Sequence, residues 1–332
     1  MTKMRYRDGL RIALTEEMER DPLVFVMGEG IAERGGSFKV TEGLVARFGP
    51  ERVIDTPLSE AGFTGMGAGA AIAGARPVVE ILFIDFLLQA MDQVVNQAAK
   101  YRFMSGNQGH VPVVIRTQGG TGESLAGQHS QSLEAMFYHV PGLQVVMPAT
   151  PADAKGLLKA AIRSDDPVVF IEHKLLYMTE GEVPDDEDYV VPLGSADVKR
   201  EGTDVTIVSY SLMTVRSLEA AERLAAEGIS VEVVDLRSLH PLDWPTVLAS
   251  VRKTHRLVVV HEAVKRGGIG GDIAATVAEE AFDSLAAPIV RIAGKNTVIP
   301  FNLALQKASV PSVDDIVAGV RAAVGGVVAE AV

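Results

Sequence analysis

The 332-residue sequence contains no cysteine, a single tryptophan and few aromatic residues, which make up 5% of the chain. The absence of cysteine excludes disulfide bonds, thiolate metal sites and a cysteine nucleophile. No stretch looks long and apolar enough to span a bilayer, because the uncharged run 61–75 is short and built from glycine and alanine. Residues 1–20 are rich in charge and lack an apolar segment of the signal-peptide type. We therefore expect a soluble, cytoplasmic protein.

The sequence also has fewer basic than acidic residues. The chain has 31 Lys and Arg against 43 Asp and Glu, a formal net charge of −12. This charge disfavours nucleic acid or an anionic membrane as the main partner. Hydrophobic residues account for 47% and charged residues for 22%, which is typical of a globular protein. Because a single core rarely grows past roughly 250–300 residues, the length predicts two domains.

Most familiar catalytic motifs are missing as well. The sequence contains no GxxxxGK[ST], HExxH or GxSxG pattern, and the spacing of its seven histidines does not indicate a metal site. Four glycines (267, 268, 270 and 271) follow a predicted strand, but their spacing is not that of GxGxxG. They are consistent with a dinucleotide loop or, more simply, with close backbone packing at the start of a helix.

Short runs rich in valine and isoleucine alternate with helical patterns along the chain. In the first half, the predicted strands are 23–27, 77–82, 111–117, 143–147 and 167–171, and the predicted helices are 6–20, 84–104 and 151–163. In the second half, the predicted strands are 204–210, 231–236, 257–261 and 289–292, and the predicted helices are 214–227, 245–253, 271–284 and 312–324. This alternation predicts an α/β fold of two doubly wound domains, the second a smaller open sheet of four or five strands.

The acidic segment 181–201 contains two prolines and has weak periodicity. It is typical of a connection between domains. We therefore expect a first domain at 1–180, a linker at 181–201 and a second domain at 202–332.

Glu60 precedes the glycine- and alanine-rich run 61–71, which predicts a helix that neighbouring elements can approach closely. Its carboxylate could simply be stabilised by the positive end of the helix dipole. Alternatively, an apolar setting would favour the protonated form and let Glu60 share a proton. The sequence leaves both interpretations open.

His129 is a second candidate. It lies in a polar, glycine-rich segment beyond the strand predicted at 111–117, and loops at the carboxyl ends of parallel strands commonly carry functional residues. A surface histidine would give the same pattern, so this alternative also stays open.

Several motifs taken together resemble a known family. The run 48–60, FGPERVIDTPLSE, is similar to the signature of beta subunits of thiamine-diphosphate-dependent 2-oxo acid dehydrogenases. Further matches occur in order at Phe86 with Ala90, Asp92 and Gln93, and at 129–131, 141–143, 153–158, 166–169, 235–243 and 261–262. The resemblance covers nearly the whole chain. It implies a pyrimidine-type thiamine-diphosphate domain followed by a transketolase C-terminal-type domain.

The resemblance also implies roles for individual residues. Glu60 would hydrogen-bond N1′ of the thiamine diphosphate pyrimidine and exchange a proton there, and His129 would assist acyl transfer to a lipoyl group. The residues implied to line the pyrimidine pocket are Glu29, Leu58, Phe86 and Gln89. The residues whose backbone carbonyls are implied to hold a potassium ion are Val113, Ala161, Ser164 and Asp166.

A partner chain is implied too. The family holds Mg²⁺ and the cofactor's diphosphate with a GDG motif and a later asparagine on a separate alpha subunit. Here Gly270, Gly271, Asp272 and Asn296 form only an incomplete copy. The resemblance therefore implies activity only with an alpha subunit, in a tetramer of two alpha and two beta chains. The second domain would serve mainly in assembly, and the acidic composition would suit a basic face of the lipoyl acyltransferase core.

The substrate is less sharply indicated. Residues 100–106 and 172–177 look closest to pyruvate and acetoin members, and pyruvate is favoured; acetoin and branched-chain 2-oxo acids are the alternatives. Outside this class stand a non-catalytic assembly subunit, a homodimeric transketolase-like enzyme and a Rossmann-type oxidoreductase. The last two require phosphate-binding motifs that the sequence does not contain.

Overall fold

The computed structural model describes residues 1–325, so the end of the predicted second domain lies outside the described residues. The chain forms two compact units. The first comprises Met1–Gly119, Met136–Leu193 and Leu239–Pro241, and the second comprises Gly120–Ala135, Gly194–Ser238 and the described residues from Leu242 onward. The segment that carries His129 thus belongs to the second unit, although in sequence it falls within residues 1–180. The boundaries at 180 and 202 stay a prediction.

The described residues form strands and helices in regular alternation. The strands are β1 (Thr2–Arg5), β2 (Val24–Gly28), β3 (Val53–Asp55), β4 (Arg76–Ile81), β5 (Val114–Gly119), β6 (Gln144–Val146), β7 (Val168–His173), β8 (Glu180–Val183), β9 (Asp197–Arg200), β10 (Val205–Ser209), β11 (Val231–Asp235), β12 (Ser238–His240), β13 (Leu257–Val264) and β14 (Val290–Gly294). The helices are α1 (Tyr6–Arg20), α2 (Leu44–Phe48), α3 (Glu60–Ile72), α4 (Ile84–Leu87), α5 (Ala99–Met104), α6 (Glu134–Tyr138), α7 (Pro151–Arg163), α8 (Leu212–Ala225), α9 (Trp244–Thr254), α10 (Gly270–Glu280), α11 (Leu303–Ser309) and α12 (Val313–Gly325).

The first unit is built on a seven-stranded sheet of order β12-β6-β7-β5-β4-β2-β3. All paired neighbours from β6 to β3 run parallel, which confirms the predicted α/β fold. A separate antiparallel ribbon joins β1 to β8. The segment predicted as a linker therefore contains β8 and β9, which its acidic, proline-containing sequence did not indicate. No helix within residues 1–325 combines the length and apolarity needed to cross a bilayer.

Helices α1 and α7 of the first unit are joined through an ion pair between a half-buried arginine and a buried glutamate. Helix α7 begins at a proline, which suits a first helical turn, and Thr150 caps it by accepting the N–H of Asp153 at 3.1 Å. Glu17 of α1 is fully buried, and the guanidinium of Arg163 donates to both of its carboxylate oxygens at 2.7–3.0 Å. A carboxylate can be buried here because it is paired and hydrogen-bonded.

The prediction of one regular helix at 84–104 was wrong. After α4 the backbone forms a 3₁₀ turn at Leu88–Ala90, then a π-helical segment at Asp92–Ala98, and becomes α-helical again only in α5. The apolar spacing could not reveal these changes, because segments of 3 and 7 residues are too short to show the different residues per turn of each helix type. Wide helical turns of this kind are frequent at functional sites.

The second unit contains a five-stranded sheet of order β14-β13-β10-β11-β9, in agreement with the predicted small open sheet. Its neighbours are parallel except β9, which runs antiparallel to β11. The chain passes from β10 to β11 on one side and later to β13 on the other. The strand order therefore reverses at β10, and the carboxyl ends of β10 and β13 flank a crevice of the type that binds ligands in open α/β sheets.

Candidate active site

Two acidic candidates of the first unit lie at the carboxyl-terminal edge of the seven-stranded sheet, where its parallel strands end. Glu29 follows β2, and Glu60, after a short turn, follows β3 as the first residue of α3. Because β2 and β3 are parallel, with Gly28 paired to Asp55, the residues after both strands emerge at the same edge. Burial and the negative charges of Glu60 and then Glu80 raise the pKa of Glu29. The structure thus brings the predicted Glu29 and Glu60 together.

Glu29 is half-buried, and its Oε1 atom is fully buried without a hydrogen-bond partner among the described residues. A buried, unpaired acceptor is unfavourable unless a ligand supplies a donor. Since burial and like charge favour its protonated form, Glu29 can also hold a proton beside Glu60. This arrangement suits a site that binds a polar ligand and exchanges protons with it.

Helix α3 approaches the sheet closely, as its glycine- and alanine-rich sequence predicts. A Cβ atom at Gly67 would lie 2.5 Å from a methyl group of Val79 on β4, so only glycine fits at this position. The close approach sets the position of the helix start, where Glu60 lies.

The other predicted pocket residues differ in exposure. Phe86 is half-buried in α4, and its ring centroid lies 6.4 Å from that of Phe83. Leu58 is 82% exposed, and Gln89 is also exposed. Since β4 neighbours β2, Phe86 emerges at the same sheet edge as Glu29. The roles of these residues in binding a cofactor stay a prediction.

A buried ionic network behind this edge was not predicted from the sequence. Arg116 on β5 donates hydrogen bonds to Glu80 on β4 and to both carboxylate oxygens of Glu172 on β7, and the Tyr177 hydroxyl also donates to Glu172. Arg116 and Glu172 are fully buried, and Glu80 is 4% exposed. The sequence signal was present, since each charge interrupts an otherwise apolar strand pattern.

The charges of this network also affect the pKa of Glu29 in the candidate site. Burial raises the pKa of Glu172, and the nearby Arg116 offsets this rise only in part. Burial would lower the pKa of Arg116, but Glu172 and Glu80 outweigh that effect and raise it well above its usual value. Arg116 therefore stays charged between two carboxylates, and one of these, Glu80, contributes to the raised pKa of Glu29.

Phe83 adjoins the network and has a strained backbone. Its φ angle is +74°, in the left-handed region that non-glycine residues rarely adopt. Its N–H donates to the Gln118 side chain at 3.3 Å, and the Lys174 ammonium lies 5.1 Å from its ring centroid. Strain of this kind is commonly retained near functional sites.

The four residues implied as potassium ligands lie where β5 and β7 begin and α7 ends: Val113, Ala161, Ser164 and Asp166. The carbonyl oxygens of Val113 and Ala161 each accept one backbone N–H, at 3.0 and 3.2 Å, which leaves a second lone pair on each oxygen. The Asp166 carboxylate is bound by Arg102 at 2.6 and 2.7 Å. The potassium ion stays a prediction.

The glycine run before α10 makes room for a buried histidine. A Cβ atom at Gly268 or Gly270 would lie 2.6 or 2.7 Å from ring atoms of His261. The run thus provides close packing at a helix start, the simpler of its two interpretations. Asp272 lies exposed in the first turn of α10.

His261 should make the stability of the chain depend on pH. Burial lowers its pKa to about 4, against a partly opposing hydrogen bond with the Ala263 carbonyl. The folded state therefore binds fewer protons than the unfolded state between pH 6.5 and about 4. We expect the free energy of unfolding to fall by about 3 kcal/mol as the pH falls through this range.

Urea unfolding of the wild type and of His261→Phe between pH 4.5 and 7 measures this contribution. The phenylalanine variant should show a shallower dependence of unfolding free energy on pH, because it carries no titrating ring. Equal slopes for the two proteins would contradict the assignment.

His129 lies half-buried in the loop Gly120–Ala135 of the second unit. The same unit contains a cavity of about 350 Å³ lined by three residues that follow it, Ser130, Gln131 and Ser132, together with Glu262 and residues 296–299. The assignment of His129 to acyl transfer stays a prediction.

Comparison with known proteins first shows the general class to which the chain belongs. The family model "Transketolase, pyrimidine binding domain" matches residues 2–180, and "Transketolase, C-terminal domain" matches residues 194–316. A solved structure described as "Split gene transketolase, inactive beta4 tetramer" is similar with a TM-score of 0.80 and 27% identity, over 97% of this chain and 99% of that chain. The chain thus has the two-domain architecture of the transketolase class.

Named relatives identify a more specific family within this class. The pyruvate dehydrogenase E1 component subunit beta of Rhizobium meliloti (strain 1021) is 48% identical over 97% of this chain and 70% of its own length. The 2-oxoisovalerate dehydrogenase subunit beta of Bacillus subtilis (strain 168) is 47% identical, over 97% and 98% of the two chains. The acetoin:2,6-dichlorophenolindophenol oxidoreductase subunit beta of Cupriavidus necator is 48% identical, over 98% of each. The chain belongs to the family of beta subunits of thiamine-diphosphate-dependent 2-oxo acid dehydrogenases, as its motifs predicted.

Proposed function

We propose that the chain is the beta subunit of an enzyme that oxidatively decarboxylates a 2-oxo acid, with pyruvate as the favoured substrate. One observation carries this proposal: Glu60, at the start of α3, lies close enough to Glu29 to raise its pKa, and the buried Oε1 atom of Glu29 has no hydrogen-bond partner among residues 1–325. Several relatives with 47–49% identity are named pyruvate dehydrogenase E1 component subunit beta, which supports the choice of substrate.

Thiamine diphosphate fits the residues at this sheet edge. When bound, the cofactor supplies a nucleophilic carbon that attacks the carbonyl group of a 2-oxo acid. Glu60 would exchange a proton at N1′ of the pyrimidine, and the unpartnered oxygen of Glu29 would accept a hydrogen bond at the same site. Phe86, Leu58 and Gln89 would complete the pyrimidine pocket.

His129 would act in the later transfer of the acyl group to a lipoyl group. A histidine suits this role because an imidazole can both donate and accept a proton near neutral pH. The lipoyl group would belong to the acyltransferase core of a multienzyme complex.

We further propose that an alpha subunit holds the Mg²⁺ and the diphosphate, in a tetramer of two alpha and two beta chains. The exposed position of Asp272 and its missing following glycine argue against a magnesium site on α10. Large apolar side chains exposed on the single chain support a partner: Leu58, Met66, Phe103 and Phe301 are 68–89% exposed. The structurally similar split gene transketolase is described as an inactive beta4 tetramer, which is consistent with inactivity of a lone beta chain.

The experiment that tests this function is co-expression with the candidate alpha subunit, a protein that carries a GDG motif and a later asparagine. With Mg²⁺ and thiamine diphosphate, the complex should reduce an artificial electron acceptor in a 2-oxo acid-dependent reaction. The beta chain alone should show no activity above background, because half of the cofactor site is missing. Activity of the beta chain alone would overturn the shared site.

The same assay separates the substrates. We expect a higher kcat/KM for pyruvate than for a branched-chain 2-oxo acid or acetoin. The relatives named for 2-oxoisovalerate and acetoin are as similar to this chain as the one named for pyruvate, so these are the compounds to compare. A higher kcat/KM for either alternative would change the proposed substrate but not the proposed enzyme class.

A further inference from the structure

The crevice at the reversal of strand order in the second unit receives a segment of the chain itself. Tyr210 directly follows β10, and Glu262 lies near the carboxyl end of β13. Both side chains bind the loop Gly120–Ala135, which carries His129 and is called the histidine loop below. A location that commonly binds ligands in open sheets thus holds a loop of the chain.

Two buried side chains bind the first half of the histidine loop through its backbone. The Glu262 carboxylate accepts the N–H of Thr121 at 2.6 Å. The Gln306 side-chain oxygen accepts the N–H groups of Gly122 and Ser124 at 3.2 and 3.3 Å. Glu262 is 7% exposed and Gln306 is 1% exposed, so water competes little for these bonds.

A third side chain binds the far end of the histidine loop, at Glu134, where α6 begins. The Tyr210 hydroxyl donates to the Glu134 carboxylate at 2.8 Å, and both residues are buried. Burial and the charge of Glu134 raise the pKa of Tyr210 well above its usual value, so the hydroxyl stays a donor. The N–H of Gly120 donates to the carbonyl of Gln131 at 3.0 Å and closes the neck of the loop. His129 lies between the two anchored parts.

The backbone of the histidine loop needs such support. Ser124 and Ala126 have φ angles of +55° and +61°, in the left-handed region that disfavours residues with a side chain. Conformations of this kind persist where surrounding contacts over-determine them. The three anchors supply contacts of this kind.

We propose that Glu262, Gln306 and Tyr210 are positioning residues that hold the histidine loop in the conformation required for acyl transfer. The second domain would then take part in catalysis through this loop, beyond the role in assembly that the sequence suggests. The proposal rests on the proposed function, since it requires that His129 assists acyl transfer.

The test uses the assembled enzyme and two assays, reduction of an artificial acceptor and acyl transfer to a lipoyl domain. We expect Glu262→Ala, Gln306→Leu and Tyr210→Phe each to lower kcat for acyl transfer about tenfold, and acceptor reduction less. Glu262→Gln should restore most of the loss, because its side chain still offers an acceptor to Thr121. Amide hydrogen exchange at residues 121–124 should accelerate in Glu262→Ala and Gln306→Leu.

Glu232→Gln provides a matched control. Glu232 is a buried carboxylate of the same unit, and it accepts hydrogen bonds from Ser250 and from the N–H of Gly202. Its replacement should leave the ratio of the two assays and the exchange of residues 121–124 unchanged.

The outcomes separate the two proposals. If His129→Ala keeps full acyl transfer, the role of His129 in the proposed function fails, and the positioning role fails with it. If His129→Ala lowers acyl transfer while the anchor variants keep it, only the positioning role is overturned. If the anchor variants lower both assays equally, the three residues are merely structural and the proposal is wrong.

Discussion

Replacement of Glu60 by glutamine is expected to lower kcat/KM of the assembled enzyme about a thousandfold in the acceptor-reduction assay. Glutamine has nearly the same shape as glutamate but cannot exchange a proton with N1′ of the pyrimidine. The loss should therefore fall mainly on kcat, since an amide can still form a hydrogen bond to the bound cofactor. Steady-state kinetics over a range of 2-oxo acid concentrations, with thiamine diphosphate in excess, measure both parameters.

Glu51→Gln is the matched control for this experiment. Glu51 lies in the same segment, is exposed, and precedes β3 instead of following it. Its replacement should leave activity within about twofold of the wild type, because an exposed charge away from the site contributes little. Full activity of Glu60→Gln would refute the role assigned to Glu60.

Replacement of Arg116 by methionine is expected to reduce the free energy of unfolding of the beta chain by about 4 kcal/mol. Methionine approximates the volume of the arginine stem, so little packing is lost. The penalty arises because the carboxylates of Glu80 and Glu172 would stay buried without a positive partner. Urea unfolding of the isolated chain at pH 7 measures the loss.

A triple variant, Arg116→Met with Glu80→Gln and Glu172→Gln, tests the electrostatic cause. Removing all three charges should recover much of the stability lost by Arg116→Met alone, because no unpaired charge then stays buried. If the triple variant is as unstable as the single variant, lost packing is responsible instead. A loss below about 1 kcal/mol in the single variant would show that the network carries no buried charge.

Predictions from the sequence were accurate where they depended on a pattern of neighbouring residues. Helices α1 and α7 were predicted with the bounds that the structure shows, because each repeats apolar residues at helical spacing between clear ends. The short strands β1, β3, β8, β9 and β12 were missed. Such strands have too few residues for a pattern, and β1, β8 and β9 are not strongly buried, so pairing with a neighbouring strand determines them.

In the candidate site, too, some residues were indicated by the sequence and others were revealed only by the structure. The order of motifs along the chain identified the family and indicated Glu60 as a candidate, since each motif is a short stretch of neighbouring residues. Glu80, Arg116 and Glu172 meet only because β4, β5 and β7 lie side by side in the sheet. A charge within an apolar strand is visible in the sequence, but its partner on another strand is not.

By itself, the sequence determined the α/β class, the family and the carboxylate at the start of the glycine- and alanine-rich helix. The tertiary structure alone decided which unit holds the histidine loop and which side chains bind it. Glu262 lies 141 residues from Thr121, and Gln306 lies 184 residues from Gly122. Periodicity and motifs describe residues close in sequence, whereas a buried hydrogen bond depends on which distant segments the packed strands bring together.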